Sequence, residues 1–312
     1  MVKRRMWALP ALAALAAGGL LRSEYERDHF VVEEARVKSY KVRRERRLVF
    51  LTDLHDKEFG EGNSRLLEAV RQAAPDLVLI GGDTMVAKPG RASLEATQRL
   101  LEGLAGICPV CYGNGNHEQR LREQQETYGD MYRRFRELLR QNKVEYLSDS
   151  SVDIGDDIRV SGLDIDEVYY HNRVSQKMGA AYISRRLGKA AEGRFQVLLA
   201  HSPLFADAYG RWGADLALAG HFHGGTIRLP LLGGVMTPQY QFFLPCCGGT
   251  FERDGRFMVA GRGLGTHSVN IRLGNKPQVV VVKLLPGEEK ETAAEKKLMR
   301  KGQGTASDGN FL

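Results

Sequence analysis

Between residues 48 and 142 one pattern occurs three times: a short apolar run, a polar glycine-bearing loop, then apolar residues at helical spacing. LVFLT (48–52) leads into DLHDKEFGEGN and a helical segment over 64–73; LVLI (77–80) leads into GGD and a helical segment over 94–104. A third run ends at Tyr112, followed by GNGNHE and a helical segment over 131–142. Short apolar runs bounded by turn signals and separated by helical periods predict βαβ units and a largely parallel sheet. Ligands in open α/β sheets bind outside the carboxyl ends of the strands, so these loops are expected to share one crevice.

The second half keeps the strands but loosens the alternation. Residues 158–161 and 195–200 read as strands with a helical stretch over 174–187 between them, and 215–219 as a strand leading into GHFHGG. Beyond Thr226 come short strands and Gly/Pro turns, closing with PQVVVVKLL (277–285). The 312 residues are about twice the ~150 of one typical domain, yet no linker-like break interrupts 48–285, so one large domain over 46–285 is expected. A composition of 43% hydrophobic and 27% charged residues excludes a disordered chain, and the 35 glycines follow no G-X-Y period, which excludes a collagen-like one. Residues 286–312 have charges and little to bury and are expected to form a disordered tail.

At the other end, Lys3, Arg4 and Arg5 precede an uncharged stretch over 6–21, MWALPALAALAAGGLL. This is the layout of a secretory signal or an uncleaved signal-anchor, so residues 1–21 are expected to attach the chain to the cell membrane or to be removed on export. Residues 1–5 carry no acid whereas 22–36 carry five, which favours a single N-terminal anchor with the main domain outside. Residues 22–45 are expected to be a basic connecting segment. Within residues 36–47, Arg36, Lys38, Lys41, Arg43, Arg44, Arg46 and Arg47 face only Glu45 and supply much of the net charge of +7. Such a run either meets anionic headgroups or forms a solvated face ahead of a strand. No zinc-finger spacing or helical reader accompanies it, so no nucleic-acid partner is expected.

The loops after the apolar runs hold the chemistry. In chain order they carry Asp53 and His55, Asp83, Asn116 and His117, His201, then His221 and His223. Imidazole, carboxylate and amide oxygen form a mixed N/O donor set that suits Mn2+, Fe2+ or Zn2+ better than soft copper. Each element alone has an innocent explanation, since D-x-H after a strand is a weak signal and GGD weaker. All of them in one order, each after a strand, are specific. Cys108 and Cys111 form C-P-V-C, but within an apolar run whose side chains alternate faces, and no second pair completes a zinc site.

With DLH (53–55), GGD (81–83), GNHE (115–118), AHS (200–202) and GHFH (220–223), the chain resembles the calcineurin-like metallophosphoesterase superfamily. The continuations GHFHGGTIRLP and GRGLGTHSVNIRL are similar to the membrane-associated YkuE/YaeI-like branch of bacterial phosphodiesterases, although Thr226 stands where such members carry Gln. The resemblance implies an α/β fold, a four-layer α/β/β/α sandwich with two central mixed β-sheets. It further implies two divalent metal ions, one held by Asp53, His55, Asp83 and His223, the other by Asp83, Asn116, His201 and His221. Asp83 then bridges, sharing its two oxygens between ions about 3.5–4 Å apart. His117 resembles the family histidine that stabilises the transition state or protonates the leaving oxygen, with Glu118 orienting it or a ligand imidazole. His267 and Arg272 are candidates to approach the phosphate, and His171 to border the cleft.

The expected activity is hydrolysis of phosphodiesters by attack of a metal-bridging hydroxide on phosphorus, with a lipid-linked or envelope-located phosphate ester as substrate. A pyrophosphatase acting on a nucleotide-diphosphate lipid such as UDP-2,3-diacylglucosamine is the alternative. A non-catalytic metal-binding scaffold is the alternative from another class; its mark would be a lost ligand or a lost histidine beside Asn116, and neither is lost. The protein-phosphatase group is disfavoured because GD is followed by TMVAK (84–88).

Overall fold

Alternation of side chains along the strands decides the layering. The computed structural model describes residues 8–170, 177–237, 240–266 and 269–288. The chain opens with α1 (Ala8–Asp28) and β1 (Val31–Ser39), followed by β2 (Arg46–Leu51), α2 (Ser64–Gln72), β3 (Leu77–Ile80), α3 (Glu95–Ala105) and β4 (Val110–Gly113). Next come α4 (Asn116–Glu123), α5 (Gln125–Tyr128), α6 (Met131–Gln141), β5 (Glu145–Leu147), β6 (Ser150–Ile154), β7 (Ile158–Leu163) and α7 (Ala180–Leu187). The rest comprises β8 (Phe195–Ala200), α8 (Ala206–Trp212), β9 (Leu216–Ala219), the short pair β10 (Arg228–Leu229) and β11 (Gly233–Gly234), β12 (Gly249–Arg253), β13 (Arg256–Ala260) and β14 (Gln278–Pro286).

Two six-stranded sheets result, ordered β1-β14-β2-β3-β4-β5 and β12-β13-β9-β8-β7-β6. The first is parallel except where β14 meets β2, the second parallel except at its two outer pairs. Leu48 and Phe50 of β2 point into a core between the sheets with Leu79, Val197, Leu218 and Val282. Their neighbours Val49 and Leu51 point the other way, onto Leu66, Leu100 and Phe135 of the helices covering the first sheet. On the far side, Leu198 and Ala217 meet Ile183, Tyr209 and Trp212. Strands buried on both faces must be apolar throughout, which is why LVFL and LVLI read as unbroken runs. The architecture is the expected four-layer α/β/β/α sandwich with two mixed sheets.

The expectation of a membrane anchor is overturned. Among the described residues no helix is long and apolar enough to cross a membrane. The uncharged part of α1, residues 8–21, would span roughly 21 Å at about 1.5 Å per residue, short of a hydrocarbon core of about 30 Å. From Arg22 on the same helix carries Arg22, Glu24, Glu26, Arg27 and Asp28. That half docks on the domain: buried Ser23 accepts the Arg272 N–H at 3.0 Å, and buried Glu26 accepts the Asn275 N–H at 2.9 Å. The helix is thus a continuous element seated on the fold, and neither the outward-facing topology nor an anchoring role for it follows. Lys3, Arg4 and Arg5, like the tail from 289 onward, lie outside the described residues.

The stretch 22–45 is built into the fold as well. After α1 it forms β1, which pairs in parallel with β14 from Val31↔Gln278 to Ser39↔Pro286. Its basic residues find acidic partners within the chain: Lys41 Nζ lies 2.8 Å from Asp215, and buried Arg46 lies 3.1 Å from buried Asp157. Arg43 pairs with Asp156 and Arg36 with Glu34. The basic run therefore ties the first sheet to loops of the second. Cys111 sits buried in β4, where burial pushes its thiol up to about 12, and all four cysteines are free thiols.

Candidate metal centre

Each candidate ligand lies just beyond the carboxyl end of a strand or at the start of the next helix. Asp53 and His55 follow β2, Asp83 follows β3, and Asn116 opens α4 after β4; these come from the first sheet. His201 follows β8, and His221 and His223 follow β9, from the second. The site thus lies where the ends of both sheets meet. Getting side chains back over a strand end needs sharp turns, and Asp53, His55, Asp83, His221 and His223 all have positive φ, between 48° and 69°. Asp and His tolerate this left-handed region better than most residues, but strain of about 1–3 kcal/mol per residue is typical of such positions. Backbone bonds hold the loops in register: Asp53 N–H donates to Gly82 O at 3.0 Å and His55 N–H to Asp83 O at 3.1 Å. Phe222, fully buried, anchors the turn between His221 and His223.

Two overlapping triads form a binuclear divalent-metal centre. Asp53, His55 and His223 make one group, Asp83, His201 and His221 the other, and His55, Asp83 and His117 converge between them. His55 Nε2 lies 3.1 Å from His223 Nε2, and Asp53 Oδ1 lies 3.4 Å from His223 Nε2 and 3.6 Å from His201 Nε2. Asp83 Oδ2 lies 3.1 Å from His201 Nε2 and 3.9 Å from His55 Nε2. Asp83 Oδ1 instead accepts the His117 backbone N–H at 2.8 Å. Oδ2 is thus the oxygen nearer His201 and His55, while Oδ1 meets the start of α4.

The donor chemistry fits metal ions. His201 Nδ1 lies 2.7 Å from Gly81 O and His223 Nδ1 lies 3.0 Å from Gly265 O. A carbonyl only accepts, so each Nδ1 carries the proton and each Nε2 presents a lone pair to the site. Asn116 Oδ1 is buried and accepts no hydrogen bond, as an amide oxygen reserved for an ion would be. His117 is arranged the opposite way: its Nδ1 accepts the Ala87 N–H at 2.8 Å, which puts the proton of the neutral ring on Nε2, 4.0 Å from Asp83 Oδ2. The imidazole beside the ligands is thus a donor.

Electrostatics agree. Burial disfavours charge on Asp53 and Asp83, but the surrounding imidazoles outweigh it and hold both carboxyls well below the usual range. Burial likewise opposes charge on His201, but Asp83 and Asp53 push it up to about 10. Two buried carboxylates require positive charge between them, and dications supply it without protonating a ligand imidazole.

Glu118 meets backbone N–H groups and a tyrosine hydroxyl. Fully buried, it accepts N–H groups from Asp83 at 2.8 Å, Thr84 at 3.1 Å and Gly115 at 2.9 Å, and the Tyr112 hydroxyl at 2.5 Å. It is a positioning residue that clamps the Asp83 loop to the start of α4. Arg272 is buried and bonded to backbone carbonyls, and burial pulls it down to about 9. His171 and His267 lie outside the described residues.

Sequence reading missed Tyr170, whose ring centroid lies 4.9 Å from that of His221, and Asn275, whose amide donates to His223 O at 2.8 Å. The paired tyrosines after β7 were the available signal for the first; nothing marked the second. Gly115 has a steric duty: a Cβ there would meet Asp83 Oδ1 at 2.2 Å. Gly115→Ala is expected to displace that carboxylate, costing about 1–3 kcal/mol as overpacking does. Its check is a lower melting temperature together with fewer than two bound metals per chain.

The profile described as calcineurin-like phosphoesterase matches residues 46–225. The chain is 25% identical over 293 residues to the uncharacterized metallophosphoesterase YkuE of Bacillus subtilis, covering 91% of this chain and 96% of that one. It is also 25% identical over 241 residues to the uncharacterized protein YpbG of the same organism, covering 76% and 80%. Against the phosphodiesterase YaeI of Escherichia coli the identity is 26% over 255 residues, covering 77% and 82%.

Proposed function

Because the chain belongs to the calcineurin-like phosphoesterase family and carries its binuclear metal-dependent hydrolase architecture, we propose that it hydrolyses phosphodiesters. The observation that carries this reading is Asp83 Oδ2, turned to both triads, with the Nε2 proton of His117 beside it. The relative YaeI, a phosphodiesterase by name, supports the choice of diesters.

Asp53, His55, Asp83 and His223 would hold one ion, and Asp83, Asn116, His201 and His221 the other. Two such ions polarise phosphoryl oxygens and lower the pKa of water, which is the chemistry the donor set invites. The rest falls to the side chains. His117, its Nδ1 occupied by the Ala87 N–H, hydrogen-bonds the leaving oxygen or a phosphoryl oxygen through its Nε2–H, stabilising charge there while keeping its proton. Glu118 holds the Asp83 and Gly115 loops still while this happens. Tyr170 walls the side of His201 and His221, where it excludes water and orients the ester.

A second reading, a nucleotide-diphosphate lipid as substrate, draws on the exposed apolar residues Leu231, Leu232, Phe242 and Phe243 following His223 in the chain. One panel separates the two. Chelation is expected to abolish hydrolysis of bis(p-nitrophenyl) phosphate, and added Mn2+ to restore it. The reconstituted protein is expected to favour that diester over p-nitrophenyl phosphate by about tenfold or more in kcat/KM, a difference near 1.4 kcal/mol. Preference for the monoester overturns the diester reading; preference for the diphosphate lipid substitutes the second.

A further inference from the structure

The last turn of α1 ends beside the metal centre. There Arg27 closes a cleft of about 230 Å3 whose walls include His55, Asp56, Lys57, Gly265 and Arg272. Three of these residues are cations, and two carry idle donors. Arg272 gives its terminal nitrogens to Gly265 O at 2.7 Å, Gly263 O at 3.3 Å and Asn275 O at 3.3 Å, while its buried Nε has no hydrogen-bond partner. Arg27 reaches Glu24 through one terminal nitrogen and likewise leaves a buried Nε without a partner. Lys57 is held by Asp28 and remains about a third exposed. Asp56 accepts the Val86 N–H at 3.1 Å with one oxygen and leaves the other buried with no partner.

Buried polar atoms in native proteins are nearly always paired, so this cluster is shaped for something that brings acceptors. A tetrahedral phosphoryl group brings several oxygens, enough for two guanidinium edges and an ammonium, and when singly protonated it also offers a hydroxyl to Asp56. The cleft is registered to the reacting centre. His55 lines both, and Gly265 O is shared between Arg272 and Nδ1 of the ligand His223, at 3.0 Å from the latter.

We propose that this cleft is a second phosphoryl subsite: with the scissile phosphate at the metal centre, Arg27, Lys57 and Arg272 receive another phosphoryl group of the same substrate. The proposal rests on the phosphoesterase reading above and gives α1 a role in substrate selection. Its test uses the full chain loaded with Mn2+ and freed of excess metal, titrated calorimetrically with propane-1,3-bisphosphonate and with propylphosphonate. Wild type is expected to bind the bisphosphonate at least about tenfold more tightly, as charge-assisted bidentate contacts allow. Arg27→Gln should shrink that ratio to within about threefold and Arg27→Lys recover part of it, since a lysine keeps the charge but loses the planar fork. Lys57→Gln provides the same reading should Arg27→Gln fail to fold. Equal affinity of wild type for both ligands, or a ratio that neither substitution moves, overturns the subsite. A bisphosphonate preference in a chain that hydrolyses no phosphoester would instead leave the subsite standing and defeat the phosphoesterase reading.

Discussion

Asp83→Asn is expected to remove metal and turnover together. The Asn oxygen can still accept the His117 N–H, now made to Asp83 Oδ1 at 2.8 Å. The NH2 group then replaces Oδ2 and points a donor where His201 Nε2, 3.1 Å away, presents its lone pair. The two proposed ion sites lose the carboxylate placed between them in one isosteric step, without a cavity. Losing an outer partner of a metal ligand costs about 10–100-fold, so losing a ligand common to both ion sites should cost roughly 10³-fold or more. Elemental analysis beside kinetics reads the result, with a thermal melt to show that the chain still folds. Two metals per chain and full activity in Asp83→Asn would defeat the assignment of Asp83 as the shared ligand.

His117→Ala is expected to behave differently. The ring meets the site with an N–H, because its other nitrogen accepts from Ala87, so it contributes a hydrogen-bond donor to the reacting oxygens and little to metal affinity. The variant should keep close to two metals per chain while kcat falls roughly 10²-fold or more. Leaving-group dependence sharpens the contrast: a hydrogen bond to the leaving oxygen matters most for a poor leaving group, so the loss should be larger for an alkyl diester than for an activated aryl diester. Equal losses on both esters would put the His117 N–H on a phosphoryl oxygen instead, and loss of metal would make it a ligand.

The apolar strands and the strand-end loops that carry the candidate donors were legible because the chemistry demands it. Each donor must sit within a few residues of a strand end to reach the shared crevice, so Asp53, Asp83 and His201 are marked by the apolar run before them. The first forty residues were read less well, for a reason that lies elsewhere in the chain. Only Ala35 and Val37 of β1 are buried, too few to reveal alternation amid the charges of an edge strand. The strand's partner is β14, and the polar half of α1 finds its hydrogen bonds at Arg272 and Asn275. A window on 6–21 sees a hydrophobic segment; it cannot see that the same helix continues into residues that dock. Glu118 was noticed, but its partners are backbone N–H groups, which a sequence does not distinguish from any others.

The pairing of β1 with β14 has a consequence for how the molecule is made. Val31 and Gln278 are register partners, 278 − 31 = 247 positions apart, and among the described residues β1 has no other neighbour in its sheet. At a synthesis rate of about 5–20 residues per second, β1 waits on the order of 12–50 s for its partner to leave the ribosome. Contacts of such sequence separation form late, after the loop-closure cost has been met by the strands between. During that interval Ser23 and Glu26 lack the backbone donors of Arg272 and Asn275, and the docked half of α1 has no seat. The wall that carries Arg27 is synthesised long before the strand that seats its neighbour β1, and it is put in place only afterwards.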